Sequence, residues 1–500
     1  MTTHHRRVIL IVLDGWGIGR DYPGNAIAQA KTPFIDGLWA KYPHAQLDAS
    51  GEEIGLPQGQ MGTSEVNHYA IGAGRVIHQD LVRINEAIAD ESFYRNSALN
   101  KTFDHVKEFG STLHVWGLVS DGGVHSLQTH IEATVEAAAR AGLKKVAVHV
   151  VTDGRDTSPQ SGLDFVSSLK ENLHKIGVGQ IVDLVGRYYA MDRSQNMDRT
   201  QLAFELYTQG KGEHFDDLNS AFKASYKAAV TDEFMKPCWI GDKPTLISEN
   251  DGIIMVNFRN DRPRQIMQLL LGASIPNLSI TTMTVYQPDF QVEVAFPPVK
   301  LKNSLGKVIS EAGLKQLRIT ETEKFAHMTF FLNCKREAPF EGEDRFMFDS
   351  YSDIATHDER PAMRAPDIAQ QISDTLQDET YDVIFTNICN ADMVGHTGNV
   401  PATIEACEVV DQALAKIVPM AQQHGYAVMI TADHGNAEEM LTEDGQMVTS
   451  HSCNQVPFIL ISDRYQKLTK EGGILADMAP TILTILGLGI PEEMTGKSFV

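Results

Sequence analysis

The chain contains 500 residues, of which 42% are hydrophobic, and carries a formal net charge of -22 at pH 7. This length exceeds what one hydrophobic core usually serves, so we expect two domains. The acidic balance excludes nucleic acid and anionic membrane surfaces as partners, because both would repel the protein, whereas a small anionic substrate needs only local positive charge.

The cysteines and the apolar segments indicate a soluble protein of a reducing compartment. The five cysteines are scattered and never spaced Cys-x-x-Cys, which argues against disulfides and a zinc ribbon. The first apolar run, from Val8 to Leu13, has only six residues and is too short for a signal peptide or a membrane span. We therefore expect a cytoplasmic protein without a targeting segment.

The amino-terminal region contains two candidate functional side chains. Val8 to Leu13 is a continuous apolar run typical of a buried parallel strand, and it ends at Asp14, where α/β folds place their ligands. Farther along, Gly62 precedes Ser64 and an amphipathic stretch, so a hydroxyl at a helix start could receive a phosphoryl group. A plain helix N-cap is the alternative role for Ser64.

The middle third repeats one pattern, in which an apolar strand is followed by charged residues. We predict strands over 113–119, 146–151, 181–185 and 253–258. Because parallel strands share an edge, the charged groups are expected to line one cleft. His125 and Asp156 are candidates for proton transfer there. Any single arginine in this region could be a surface salt-bridge partner. Five of them together indicate an anion site suited to a carboxylate and a phosphate: Arg155, Arg187, Arg193, Arg259 and Arg262.

The carboxyl-terminal third adds candidates in glycine-flanked loops. A strand predicted over 381–387 leads to Asp392 and His396, which would share a face of a helical turn. A strand predicted over 427–431 ends at Asp433 and His434, where Gly435 permits the turn that lets carboxylate and imidazole converge on one cation.

Two further residues of this third enter the candidate set, and two helices are predicted around them. His451 precedes the apolar run 456–461, and Lys324 lies between acidic and aromatic neighbours, where a solvated lysine is the simplest interpretation. Helices are predicted over 401–424 and 474–488. The metal candidates exceed what one divalent ion needs, so two ions are indicated, and oxygen and nitrogen donors without sulfur favour Mn²⁺ or Zn²⁺ over Ca²⁺. These candidates are Asp14, Ser64, Asp392, His396, Asp433, His434 and His451.

Ten motifs in order along nearly the whole chain resemble the cofactor-independent, 2,3-bisphosphoglycerate-independent phosphoglycerate mutases, of the alkaline phosphatase superfamily. The Arg-His-Gly motif of the cofactor-dependent mutases is absent. The matching motifs are Val-Leu-Asp14-Gly-Trp-Gly, Met61-Gly-x-Ser64-Glu-Val-x-His68, Ile-Gly-Ala-Gly-Arg75, Ser120-Asp-Gly-Gly-Val-His-Ser126, Thr152-Asp-Gly-Arg-Asp156, Gly186-Arg-Tyr-Tyr-Ala-Met-Asp-Arg193, Asn257-Phe-Arg-x-Asp-Arg262, Glu321-x-Glu-Lys-Phe-Ala-His327, Asn390-Ala-Asp-Met-Val-Gly-His396 and Thr431-Ala-Asp-His-Gly-Asn436.

The resemblance implies a fold of two α/β domains, in which an alkaline-phosphatase-like metal-binding domain is interrupted by an inserted transferase domain. The metal domain would be discontinuous, 1–78 with 308–500, and the inserted substrate-binding domain would be 79–307. The positions of the candidates agree independently, because those for metal lie before residue 70 or after residue 390 and the arginines lie between.

The resemblance also implies the chemistry, an isomerase reaction of glycolysis and gluconeogenesis. A monomer with two Mn²⁺ would convert 3-phosphoglycerate into 2-phosphoglycerate without 2,3-bisphosphoglycerate. Ser64 would be the nucleophile and form phosphoserine, Asp156 the general base at the 2-hydroxyl, and Lys324 would neutralise charge on the transferring group. One ion would be bound by Asp392, His396 and His451, and the other by Asp14, Ser64, Asp433 and His434. The substrate would be bound by His125, Arg155, Asp156, Arg187, Arg193, Arg259, Arg262 and Lys324.

Two alternatives stay open at this point. The first is another enzyme of the superfamily, such as a phosphomonoesterase, a phosphopentomutase or a phosphonoacetate-type hydrolase, and net phosphate release would favour it. The second is a metal-binding scaffold without activity, which would bind metal tightly and turn nothing over.

Overall fold

A computed structural model describes residues 7–299 and 301–500 as two mixed α/β units. The first unit combines 7–79 with 301–500, and the second spans Asp80–Val299. The strands are β1 (Arg7–Leu13), β2 (His44–Asp48), β3 (Leu113–Val119), β4 (Val146–Thr152), β5 (Gln180–Gly186), β6 (Glu213–Phe215), β7 (Cys238–Ile240), β8 (Gly252–Met255), β9 (Ser279–Thr282), β10 (Glu293–Val294), β11 (Gln316–Glu321), β12 (Glu343–Phe348), β13 (Val383–Ile388), β14 (Tyr426–Thr431), β15 (Val456–Ile461) and β16 (Gly472–Ile474).

Helices surround both sheets. They are α1 (Ala26–Gln29), α2 (Pro33–Lys41), α3 (Ser64–Ala73), α4 (Asp80–Ala89), α5 (Ser97–Phe109), α6 (Gln128–Arg140), α7 (Gly162–Ile176), α8 (Arg187–Ala190), α9 (Met197–Gln209), α10 (Leu218–Lys227), α11 (Arg264–Gly272), α12 (Leu305–Glu311), α13 (Thr322–Ala326), α14 (Ala365–Gln377), α15 (Asn390–Gly395), α16 (Val400–Gln423) and α17 (Met478–Leu486). A π-helical turn, His327–Phe331, follows α13 directly. Among the described residues, no helix is long and apolar enough to cross a membrane.

The sheet of the first unit has the strand order β12-β11-β13-β1-β14-β15-β2-β16. The five strands from β12 to β14 are parallel, and β15 runs antiparallel to both of its neighbours. Apart from Arg7, the central strands β1, β13 and β14 are buried along their whole length, which explains their continuous apolar sequences. The carboxyl ends of β11, β13, β1 and β14 therefore lie side by side at one edge.

The sheet of the second unit has the order β10-β9-β8-β3-β4-β5-β7-β6 and is parallel from β10 to β5. Alternate residues of β3 enter two separate hydrophobic clusters, with Leu113 and Val115 in one and Trp116 and Leu118 in the other. Because successive side chains of a strand point to opposite faces, helices cover both faces of this sheet.

The predicted fold class is confirmed, since both units are α/β with mostly parallel sheets. Three predicted elements differ from the structure. The strand predicted over 381–387 begins at Val383. The strand predicted over 253–258 ends at Met255. The closing helix predicted over 474–488 is shorter, because Ile474 ends β16 and a 3₁₀ turn precedes α17.

Candidate metal centre and basic cluster

The polar candidates of the first unit converge at the shared carboxyl edge of its parallel strands. Asp14 follows β1, Lys324 lies on α13 directly after β11, Asp392 lies on α15 after β13, and Asp433 follows β14. Strand β15 is antiparallel, so the residues before its start, His451 among them, return to the same edge. The parallel topology thus assembles groups that are hundreds of residues apart in sequence.

Ser64 is the first residue of α3 and is only 5% exposed. Thr63 caps this helix, accepting a hydrogen bond from the Val66 amide at 3.4 Å. The Ser64 hydroxyl lies 2.9 Å from His434 Nε2 and 3.4 Å from Asp14 Oδ1. A serine acting only as an N-cap would not face these side chains, so the geometry favours a chemical role for the hydroxyl.

The ammonium group of Lys324 is at the centre of this arrangement. Its Nζ donates hydrogen bonds of 2.8 Å to Asp14 Oδ1, to Asp392 Oδ2 and to the Ser64 hydroxyl. Burial opposes the charge, but the two carboxylates outweigh it and raise the pKa of Lys324 well above its usual value. The interpretation of Lys324 as a solvated surface lysine is therefore wrong.

A second group of donors surrounds the other oxygen of Asp392. Asp392 Oδ1 lies 3.2 Å from His396 Nε2 and 3.4 Å from His451 Nε2. The Nδ1 atoms of both histidines are directed at backbone carbonyl oxygens at 2.7 and 2.8 Å. Since Nδ1 carries the proton in such a bond, Nε2 becomes the ligand atom once it gives up the proton it shares with Asp392.

The electrostatics of the centre suit a cation. Burial and the charge of Asp433 raise the pKa of Asp14. For Asp392 burial is outweighed by Lys324 and by hydrogen bonds from His396 and His451, so its pKa is well below its usual range. Three buried carboxylates face one ammonium group, and the buried Asp433 Oδ2 accepts no hydrogen bond. Extra positive charge would satisfy these oxygens, so the residues present fit divalent metal ions.

Three overlapping groups of ligand atoms lie close enough to bind a cation. The first is Asp392, His396 and His451, the second is Asp14, Asp392 and His434, and the third is Asp14, His68 and Asp433. The first group has the same members as one of the ligand sets implied by the resemblance. The second group combines Asp14 and His434, which belong to the other implied set, with Asp392. The third combines Asp14 and Asp433 of that same set with His68.

Several residues without an assigned role in the sequence analysis support the centre. Asn387 Nδ2 donates to Asp14 Oδ2 at 2.6 Å, Asn436 Nδ2 donates to Asp392 Oδ1 at 3.0 Å, and Asn67 Nδ2 donates to the Asp433 carbonyl at 2.6 Å. His68 is fully buried, which lowers its pKa to about 4. Two of these, His68 and Asn436, lie in motifs quoted above, but a single motif does not reveal which charged group each one contacts.

The candidates of the second unit form a separate basic cluster at the carboxyl edge of β8, β3, β4 and β5. Arg187, at the start of α8, is buried and pairs through Nη1 with Asp153 Oδ1 at 2.6 Å and with Asp156 Oδ2. Asp156 Oδ2 is also 4.0 Å from His125 Nε2. Burial and the Arg187 charge lower the pKa of His125 to about 4, so this imidazole is neutral near pH 7.

Three side chains of the cluster lie close to the carboxylate of Asp261. Arg193 Nη1 lies 3.0 Å from its Oδ2, while Arg259 Nε and His125 Nδ1 lie 3.3 and 3.8 Å from its Oδ1. Burial and the charges of neighbouring arginines lower the pKa of Arg262, whose Nε has no hydrogen-bond partner. Unneutralised positive charge of this kind is what an anionic ligand would stabilise.

A cavity of about 350 Å³ opens beside these arginines. It is lined by Arg155, Arg187, Arg193 and Arg262, and also by Arg199, which the sequence analysis did not identify. Arg199 stacks over the Tyr188 ring at 4.1 Å. It lies in the first turn of helix α9 and does not directly follow a strand, so the strand-end signal that identified the other arginines does not include it.

Comparison with known proteins gives two independent findings. A family model described as the metalloenzyme superfamily matches residues 6–490. The chain is 44% identical to a 2,3-bisphosphoglycerate-independent phosphoglycerate mutase of Salinibacter ruber, covering 99% of this chain and 98% of the relative. It is equally 44% identical to a protein of the same description from Coxiella burnetii, with 99% and 97% covered.

A solved structure gives the same result. The chain is similar to the phosphoglycerate mutase of Leishmania mexicana, crystallised at low cobalt concentration, with a TM-score of 0.58 and 29% sequence identity. The similarity covers 99% of this chain and 97% of that one. Sequence and structure thus agree over the whole length of the chain.

Proposed function

The chain belongs to the family of 2,3-bisphosphoglycerate-independent phosphoglycerate mutases, enzymes that are isomerases, and on this premise we propose how its residues act. The substrate is 3-phosphoglycerate and the product 2-phosphoglycerate. Ser64 accepts the phosphoryl group and later returns it to the other hydroxyl, at a site for two divalent ions.

One observation carries this proposal: the buried Ser64 hydroxyl lies 2.8 Å from the Lys324 ammonium and 2.9 Å from His434 Nε2. A hydroxyl between a cation and an imidazole can lose its proton and attack phosphorus. Despite burial, the pKa of Lys324 is raised well above its usual value by Asp14 and Asp392, so the ammonium is charged at neutral pH and is positioned to neutralise the transferring oxygens.

We assign the candidate ligands to two sets, as the family resemblance implies. Asp392, His396 and His451 would hold one ion, and Asp14, Ser64, Asp433 and His434 the other. When bound, divalent ions would lower the pKa of the Ser64 hydroxyl and neutralise charge on the phosphoryl oxygens. Mn²⁺ is proposed because the donors are carboxylate oxygens and imidazole nitrogens.

The basic cluster is proposed to bind the anionic groups of the substrate. Arg187, Arg193, Arg259 and Arg262, with Arg155, bind the carboxylate and the phosphate of the incoming molecule. Asp156 then takes the proton of the 2-hydroxyl as that oxygen attacks phosphoserine. The contact between the buried Arg187 and Asp156 Oδ2 supports this role, because it holds the carboxylate in a fixed orientation.

The test is an assay of metal-stripped protein on 3-phosphoglycerate, before and after addition of Mn²⁺, without 2,3-bisphosphoglycerate and with free phosphate followed in parallel. We expect isomerisation that needs Mn²⁺ and falls at least 10⁴-fold in Ser64→Ala, together with a phosphorylated Ser64 peptide by mass spectrometry after rapid quenching. A Ser64→Ala protein that still isomerises would contradict the proposal.

The same assay separates the alternatives. Phosphate release without isomerisation would indicate a phosphomonoesterase that keeps the metal centre. Tight Mn²⁺ binding with neither activity would indicate a scaffold. The monomeric state and the cytoplasmic location stay predictions, which sedimentation and fractionation would test.

A further inference from the structure

A buried carboxylate near the metal centre has no part in the proposed function. Glu438 is 1% exposed, and its two oxygens accept four hydrogen bonds. Oε2 accepts from the backbone amides of Gly17 at 3.0 Å and Asn436 at 2.8 Å. Oε1 accepts from the Ser452 hydroxyl and from Asn454 Nδ2, the latter at 3.0 Å. Both carboxylate oxygens of Glu438 are therefore occupied by donors from the protein and not by a ligand.

These donors belong to the three loops that carry candidate metal ligands. Gly17 follows Asp14 by three residues, Asn436 follows His434 by two, and Ser452 directly follows His451. One side chain thus links three separate segments of the chain. A backbone hydrogen bond of 3.0 Å from the Ser452 amide to the Gly435 carbonyl joins two of the loops again.

Three glycines leave the space that the Glu438 side chain fills. A Cβ atom at Gly17 would lie 2.3 Å from Glu438 Cδ, one at Gly435 would lie 2.2 Å from Oε1, and one at Gly19 would lie 2.9 Å from Cγ. The chain bends at Asp433 and His434 as predicted, but Gly435 does not adopt left-handed backbone, so conformation alone does not require a glycine there. It is required because the carboxylate approaches closely.

The contact extends to a further ligand through Asn436. The same residue whose amide donates to Glu438 also donates from Nδ2 to Asp392 Oδ1 at 3.0 Å. Glu438 therefore acts, directly or through one intermediate residue, on the loops of Asp14, His434, His451 and Asp392.

We propose that Glu438 is a positioning residue that holds the ligand loops in the geometry for metal binding. The inference rests on the proposed function, because it assumes that these loops bind metal. Supporting groups of this kind fix the orientation of ligands, and their loss typically costs 10- to 100-fold in metal affinity.

Glu438→Gln is the informative variant, with Glu439→Gln as its matched control. The amide of glutamine replaces one acceptor oxygen by a donor, so two of the four donors lose their partner. Glu439 is the next residue, is exposed, and accepts from the same Asn454 side chain at 2.9 Å, so its variant makes the same chemical change outside the cluster.

The measurement is titration calorimetry of Mn²⁺ into metal-stripped full-length protein, with thermal unfolding of the metal-stripped variants in parallel. We expect Glu438→Gln to weaken Mn²⁺ binding 10- to 100-fold and Glu439→Gln to change it less than twofold. Saturating Mn²⁺ should restore part of kcat in Glu438→Gln with little change in KM for 3-phosphoglycerate. A folded Glu438→Gln protein with wild-type Mn²⁺ affinity would overturn the proposal.

A second variant keeps the test decisive if Glu438→Gln does not fold. Ser452→Ala removes one donor and leaves the carboxylate charged, and we expect a three- to tenfold loss of Mn²⁺ affinity. Unchanged affinity in this variant would overturn the proposal in that case. Failure of the proposed function would look different, since the wild-type protein would then bind Mn²⁺ without isomerising, or would not bind it at all.

Discussion

Arg187 illustrates how a single buried charge organises the basic cluster. Its side chain is 2% exposed, and one nitrogen contacts both Asp153 and Asp156. Asp153, itself 2% exposed, also accepts a 2.7 Å hydrogen bond from Ser120. Burial alone would raise the pKa of Asp153, but hydrogen bonds from the Asp156 amide, Ser120 and Arg187 outweigh it and lower the pKa. Arg187 therefore stabilises the cluster as well as offering charge to a substrate.

We predict that Arg187→Met destabilises the protein by about 3 kcal/mol and raises KM for 3-phosphoglycerate, because a buried carboxylate loses its cation. Urea unfolding and initial rates measure the two effects. Arg199→Met is the control: Arg199 lines the same cavity but is one-third exposed and pairs with Asp192 only at 3.4 Å, so we expect a loss below about 1 kcal/mol. Equal losses in both variants would refute this account of Arg187.

His130 gives a prediction for pH. Its side chain is fully buried on α6, where Nε2 lies 2.7 Å from Asn85 Oδ1 and Nδ1 has no partner, and burial lowers its pKa to about 4. An unfolded histidine titrates near 6.5, so between pH 6.5 and 4 the unfolded chain binds the proton that the folded one rejects. The free energy of unfolding should therefore decrease as the pH is lowered from 6.5 to 4, by up to about 3 kcal/mol from this residue.

The measurement is urea unfolding of wild type and His130→Gln at pH 7.5 and pH 5. Since glutamine does not titrate, the variant should lose less stability between the two pH values than the wild type does. An identical loss would show that His130 is not a source of the acid sensitivity.

At the scale of elements, the parallel strand ends explain why the candidates converge. Four neighbouring strands of the first sheet end beside one another, and each is followed by a polar residue of the centre. In the second sheet, the neighbouring strands β8, β3, β4 and β5 likewise end beside one another, and the basic cluster lies at their carboxyl ends. Helix α3 is the element that adds the hydroxyl, and its position depends on its first turn.

We predict that Thr63→Ala destabilises the protein by about 1 kcal/mol and lowers kcat, because the cap of α3 precedes Ser64 directly. Thr63→Asn should retain stability, since asparagine caps helices at least as well as threonine does. Thermal unfolding and initial rates distinguish the two. If Thr63→Ala unfolds like wild type, the 3.4 Å cap contact contributes nothing to stability.

At the scale of the whole molecule, the candidate metal ligands all belong to the first unit and the arginines of the basic cluster to the second. A ligand stabilises the state to which it binds, by about 4 kcal/mol at a thousand times its dissociation constant. Mn²⁺ should therefore slow hydrogen exchange in 7–79 and 301–500 and leave 80–299 unchanged. Exchange measured by mass spectrometry tests this, and it equally tests the predicted inserted domain over 79–307. Equal protection of both units would contradict the assignment.

The protective effect should weaken as the pH falls. A hydrogen bond to Asp392 raises the pKa of His396, and the same carboxylate outweighs burial to raise that of His451. Protons thus compete with metal for both imidazoles already above pH 6.5, so Mn²⁺ affinity should fall from pH 8 to pH 6. Asp392→Asn should lose most of the Mn²⁺ protection at either pH.

The sequence by itself determined the fold class, the family and most of the residues that meet at the two sites. Strands such as Val8–Leu13 can be predicted from the sequence because a strand buried on both faces is apolar throughout. Parallel strands in turn imply that the residues after them share one edge of the sheet. Motifs around Asp14, Ser64 and Asp433 then identified the family, and the comparisons confirm it.

Only the tertiary structure decided which partners each side chain contacts. Lys324 has the local sequence of a surface lysine, yet it is buried, and two carboxylates more than 60 residues away in sequence, Asp14 and Asp392, keep it charged at the centre. Arg199 lies within a helix and Glu438 lies after the motif, so neither carries a local signal. Gly435 leaves space for the Glu438 carboxylate, and the sequence does not reveal this need because Glu438 approaches Gly435 only when the loops fold together.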